Sequence, residues 1–215
     1  MALVLGTNYG FVTSSPVDDP AAGNTTADTR SLAVIDTSPA TAAKITEIGW
    51  WANADPQDTN FEVGLYSDEG NGEPEARLYV DATNATGGSA GWKRVSVDWE
   101  ISPSTNYWLA IQVDDVGIPS TTVDYASSGG PGIARLYSQT TLLSDWGTST
   151  AKDSDGIICI YAVWEAGPGP EGTNLQINIE DTWKEVSAIK VNVGDSWKDV
   201  ESAKINIGDS WKDVF

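Results

Sequence analysis

Short apolar runs, some alternating with polar residues and some continuous, recur along the chain between clusters of Gly, Pro, Asn and Asp. Helical periodicity is nearly absent, and the spacing is that of an antiparallel β fold. Over 44–51, alternation puts Ile48 and Trp50 on one face of a strand and Ile45 with Trp51 on the other. Over 61–66, Phe61, Val63 and Leu65 share a face opposite Glu62. The acidic, Gly- and Pro-containing stretch 68–74 then stops pairing and supplies a loop. Further strands are predicted at 76–80, 92–99, 107–113 and 156–164, whereas 120–155, with Gly129, Gly130, Pro131 and Gly132 together, reads as surface loops and weak edge strands. Strands in this number without intervening helices predict two packed sheets, a jelly-roll-like β-sandwich. The stretch 2–29, rich in small and polar residues with Tyr9 and Phe11 as its aromatic anchors, reads as an extended arm suited to adding a strand to a neighbour's sheet edge.

The composition changes at Gly167, where GPGPEG resists both helix and central strand. The predicted organisation is a sandwich with its arm over 1–166, a Gly/Pro linker over 167–174, and a small C-terminal domain over 175–215. That last stretch repeats itself: LQINIEDTWKEVSA from Leu175, IKVNVGDSWKDVES from Ile189 and AKINIGDSWKDVF from Ala203. Each unit reads as a β-hairpin, a strand of the Ile-Asn-Ile kind, a tight turn and a second strand bearing Trp, so the fold class is all-β throughout. The turn pairs Gly194-Asp195 and Gly208-Asp209 suit positive φ, and Glu180-Asp181 replaces them in the first unit. One such hairpin cannot hide its apolar side chains from water, so Trp183, Trp197 and Trp211, with Val186, Val200, Val214 and Phe215, are the candidate assembly interface. Ligand stacking on those rings is the competing reading.

These residues resemble virion-associated proteins of tailed bacteriophages, in which a β-sandwich precedes short tandem units of the form I-N-x-G-D-S-W-K. Within 1–166, ITEIGWW, NFEVGLYSD, GWKRVSV and STNYWLAIQV are similar to segments of viral or extracellular jelly-roll modules. The resemblance implies a capsid, tail or fibre component, or an extracellular filament subunit. It would be multimeric, a trimer or higher, in contact with other particle proteins, and located in the virion or outside the cell. It implies no catalytic residue.

Charge and chemistry narrow this reading. Twelve Lys and Arg against 31 Asp and Glu give a net charge of −19, which repels nucleic acid and anionic lipid. No stretch is long and apolar enough to cross a bilayer, and the first residues carry none of the parts of a secretory signal. The chain has no His and a single Cys, Cys159, in a buried-strand pattern, so His-based nucleophile systems are excluded, zinc is disfavoured and no cofactor is required. Asp114 and Asp115 at one strand end, with Asp153 and Asp155 before another, offer oxygen ligands compatible with calcium, though none matches an EF-hand loop and solvated turn carboxylates are the more ordinary reading. Of the aromatic residues, Trp92, Trp99, Trp108 and Trp164 read as core. Trp51 and Trp146 are the candidates for stacking a cell-surface glycan. The function expected is therefore a non-enzymatic structural component of a particle, or alternatively its receptor- or glycan-binding module.

Overall fold

Apolar runs of the length seen here bury themselves most readily between two sheets, and the computed structural model has that arrangement. It describes residues 3–53, 59–114 and 120–167, together with the paired strands of the C-terminal unit. Two units divide the chain, Met1–Ala166 and Gly167–Phe215.

Thirteen strands build the first unit: β1 (Gly10–Val12), β2 (Gly23–Thr26), β3 (Arg30–Thr37), β4 (Ala42–Asn53), β5 (Asn60–Asp68), β6 (Pro74–Ala85), β7 (Gly91–Glu100), β8 (Asn106–Val113), β9 (Thr122–Ala126), β10 (Ile133–Tyr137), β11 (Ala151–Asp153), β12 (Ile157–Ile158) and β13 (Ile160–Ala166). A seven-stranded sheet runs β1-β13-β4-β9-β12, with β7 beside β4 and β2 beside β9. A six-stranded sheet runs β11-β10-β3-β8-β5-β6. The pairing is antiparallel except at β1, which lies parallel to β13 with Phe11 opposite Ala162. The main core sits between the sheets: Ile45, Ile48, Trp50, Ile158 and Ile160 from one meet Leu32, Val34, Val63, Leu65, Leu109 and Ile111 from the other.

The expected alternation of 44–51 fails at one point. Ile45 faces the core with Ile48 and Trp50, because the ladders to β7 and β13 shift register beside Ile45 and reverse the pleat there. The segment 120–155 contributes paired strands rather than loops alone, since β9 joins β4, β12 and β2, and β10 lies between β3 and β11. β3, carrying Ser31-Leu32-Ala33-Val34, is an interior strand absent from the strands predicted above. The arm is folded back onto its own sandwich through β1 and β2.

The second unit contains six strands, β14 (Gln176–Ile179), β15 (Thr182–Glu185), β16 (Lys190–Val193), β17 (Ser196–Asp199), β18 (Lys204–Ile207) and β19 (Ser210–Asp213). They pair as three antiparallel two-stranded sheets. Each has the same register, Asn178 opposite Trp183, Asn192 opposite Trp197 and Asn206 opposite Trp211. For these three Trp, register is what is described. Val186, Val200, Val214 and Phe215 lie outside the described residues, as do the three turn pairs.

Candidate functional site

Each sheet of a two-layer sandwich has an outer face that the main core does not use, and here both outer faces are occupied by non-strand segments of the chain itself. On the six-stranded sheet, Tyr66, Trp108, Ala110, Ala134 and Leu136 form a second apolar cluster under the segment 138–150. That segment is pinned at several points. Trp146 is 2% exposed, its ring stands edge-on to Tyr66 at 5.2 Å, and its Nε1 donates to Ser149 Oγ at 3.0 Å. Leu142 fills the space over Gly64, where a Cβ would come within 2.7 Å of its Cδ1. The Leu142 N–H donates to Glu62 at 2.7 Å, Tyr66 OH to the Leu143 carbonyl at 2.6 Å, and Arg77 to the Leu142 carbonyl. Glu73 receives Lys152 Nζ at 2.7 Å and both the N–H and hydroxyl of Ser149. Burial alone would raise the Glu73 carboxyl, but the bonds from Lys152 and Ser149 outweigh it and hold the group below its ordinary value.

On the seven-stranded sheet the outer face carries Glu47, Gly49 and Trp51 from β4, Trp92 and Arg94 from β7, and Tyr161 from β13, in neighbouring register. Gly49 has a local reason to be Gly: a Cβ there would meet the Tyr161 ring at 2.6–2.7 Å. Tyr161 therefore lies across Gly49 and donates its hydroxyl to Glu47 at 2.5 Å while accepting from Arg94 Nε at 3.1 Å. Burial, then Glu47, push its phenol far up, so it remains a donor. Trp92 packs edge-on against both Tyr161 and Trp51, at 5.1 and 5.4 Å. A strap from the N-terminal segment crosses this patch by its carbonyls, Pro16 accepting from Arg94 at 2.5 Å and Asp18 from Trp92 Nε1 at 3.2 Å.

Beside this patch the first residues make a plug at the sheet edge. Asn8, Tyr9, Phe11 and Val12 are all buried, and Phe11 meets Tyr107 edge-on at 6.4 Å. Gly10 has φ +74°, and a Cβ on it would fall 2.3 Å from Asp36 Oδ2, so glycine is required here on both backbone and space. Asp36 accepts the Phe11 and Thr37 N–H groups at 2.8 Å each, and burial nevertheless raises its carboxyl. Farther on, Asp124 is fully buried and accepts from Asn53 and from the Ala22 N–H. Burial raises this carboxyl too, against those two bonds.

The residues singled out from sequence fall unevenly on these features. Trp51 is half-buried on the outer patch, where an upright Trp92 meets it. Trp146 is a correction: its ring is enclosed as the anchor of the covering segment and presents no face to a sugar. Trp99 is buried in the main core, Trp108 in the outer cluster, and Trp92 and Trp164 are half-buried. Asp114 and Asp153 do not converge. Asp153 lies opposite Ile133, which pairs with Val34 in the middle of β3, whereas Asp114 follows Val113, which pairs with Arg30 at the start of β3. Asp153 is already ion-paired with Arg135, Asp155 is exposed, and Asp115 lies outside the described residues. Among the described residues no three acidic, His or Cys side chains group as metal ligands would. Tyr9 and Phe11 are legible in the sequence as anchors of the arm, but their seating against Asp36 and Tyr107 and the Glu47–Tyr161–Arg94 group are not.

No protein-family model matches the chain, and a search of curated proteins returns no significant match.

Proposed function

We propose that this protein is a non-enzymatic structural subunit of a larger assembly, a viral particle or an extracellular one. In this reading the sandwich is the displayed module and the C-terminal hairpins join copies. The observation that carries it is the repetition of one register in three separate two-stranded sheets. An isolated two-stranded hairpin is marginal in water, and each of these has Ile or Val flanking its Asn and a Trp opposite. Docking of hairpins between copies removes those side chains from water without asking any hairpin to stand alone. The strong negative charge suits a protein kept soluble at high copy number until specific contacts form. Light scattering on the full chain and on a chain ending at Ala166 tests the reading. A defined oligomer that becomes a folded monomer on truncation is the expected result, and a monomer in both cases would defeat it.

A glycan-binding role is the second reading, supported by the half-buried Trp51 beside Trp92 on an outer sheet face. Binding on a glycan array that disappears in Trp51→Ala is its expected signature. An array without hits removes it.

A further inference from the structure

The N-terminal segment joins two unlike pieces. Residues 8–12 are a buried plug with sequence-specific seating: Gly10 against Asp36, Phe11 against Tyr107, and the Asn8 carbonyl receiving the Cys159 thiol at 3.3 Å. Residues 13–19, by contrast, are exposed or half-exposed, and Val17 is 80% exposed. Among the described residues, apart from the strap's two carbonyl contacts with Arg94 and Trp92, the connector's bonds fall at its far end, where Ala21 N–H meets Asp19 and Ala22 N–H meets Asp124.

Among the described strands β1 is also an edge strand, pairing with β13 alone. Its departure opens one edge and leaves every other strand ladder intact. The connector 13–22, fully extended, reaches on the order of 30 Å. It carries Pro16, which favours extended chain, and towards its end the buried Pro20, with Ala21 at φ +49°, a left-handed conformation that a non-Gly residue adopts at a cost.

We propose that the plug is a transferable donor strand: in an assembly, residues 8–12 of one copy seat beside β13 of a neighbouring copy. The partner is a second copy of this chain because the socket's occupant is already known. The socket is shaped to Gly10 and Phe11, and exchange between copies recreates every plug contact, by symmetry, without a new surface. The balance between own and neighbouring plug is then set by the connector and by concentration. A tethered strand competes at an effective concentration on the order of millimolar, so exchange prevails where sockets are crowded together. The inference rests on the assembly role proposed above. It supplies a second, N-terminal joint independent of the hairpins.

Two full-length chains lacking the native thiol (Cys159→Ala) test it, one with Val12→Cys and the other with Val163→Cys, the pair that faces across β1 and β13. Mixed and oxidised at millimolar concentration, they should form a covalent dimer. Adding Gly10→Val to the Val12→Cys chain should cut its yield at least tenfold. A chain carrying both cysteines calibrates the bond within one molecule. If that control closes and the mixture gives no dimer above the Gly10→Val level, the proposal is overturned.

A second measurement decides the matter even if the control stays reduced. With a protease site at Val17, the folded full-length chain is cut and offered labelled peptide 1–16. Uptake of the peptide, and none of its Gly10→Val form, supports exchange; a cut chain that takes up no peptide, or that unfolds, overturns it. Oligomers that persist without any interchain disulfide would remove the exchange and leave the assembly role standing. A monomer by light scattering that still takes up peptide would do the reverse.

Discussion

The two outer faces of the sandwich are crossed by irregular chain held in different ways. The segment 138–150 inserts a whole indole and a leucine into an apolar cluster and is bonded through Glu62, Glu73, Arg77 and Tyr66. The strap at 16–18 rests on its patch through two backbone carbonyls, and its one large apolar side chain, Val17, points to water. The first is a third layer of core; the second is a tether. A covering segment is therefore classified by what it buries, since a carbonyl leaving a side-chain donor finds water as a substitute partner, whereas an extracted indole leaves a cavity.

Urea denaturation measures the contrast most directly. Trp146→Ala should cost about 3–5 kcal/mol, as truncation of a fully enclosed indole does. Arg94→Ala, which removes one strap contact and the bond to Tyr161, should cost about 1 kcal/mol. Equal costs would mean that the strap belongs to the core as much as the other segment does.

Acid should separate the two regions with a smaller effect. Asp36 and Asp124, which hold the N-terminal segment, lie above the ordinary 3.8 of an aspartate. A carboxyl raised in the folded state favours folding when protonated, so their contribution is complete below pH 3.8 and is lost as pH rises through the folded values. Glu73 lies below its ordinary 4.5, so its contribution is complete above pH 4.5 and is lost as pH falls through the lowered value. Amide exchange, corrected for its intrinsic pH dependence, should therefore show residues 9–12 gaining protection on acidification and residues 142–149 losing it below pH 4.5. Parallel changes in the two regions would contradict this assignment of charges.

Periodicity encodes the strands of the two sheets but not what depends on a third layer. The runs within β4, β5, β7, β8 and β13 are apolar enough to identify themselves. β3 was equally legible, since Leu32-Ala33-Val34 is a continuous apolar run of the kind central strands carry, and its omission owes nothing to the physics. The bulge beside Ile45 was not legible, because alternation assumes an unbroken pleat and a register shift is a property of two strands together. Trp146 was misjudged because a two-layer picture assigns outer-face residues to solvent. Tyr9 and Phe11 were legible as anchors of 2–29, but that they seat on the chain's own sheet beside β13 is a property of the fold.

Cys159 sits where β12 breaks from β13, with its thiol against the Asn8 carbonyl and its ionisation suppressed by burial. This gives the chain a clock. A thiol shielded by burial and by the Asn8 carbonyl turns each opening of the fold around it into a permanent chemical mark. The rate of its modification therefore counts such openings per unit time, departure of the N-terminal segment among them. Because the chain has no other cysteine, the count needs no engineered label and can be taken on the native protein, free or assembled.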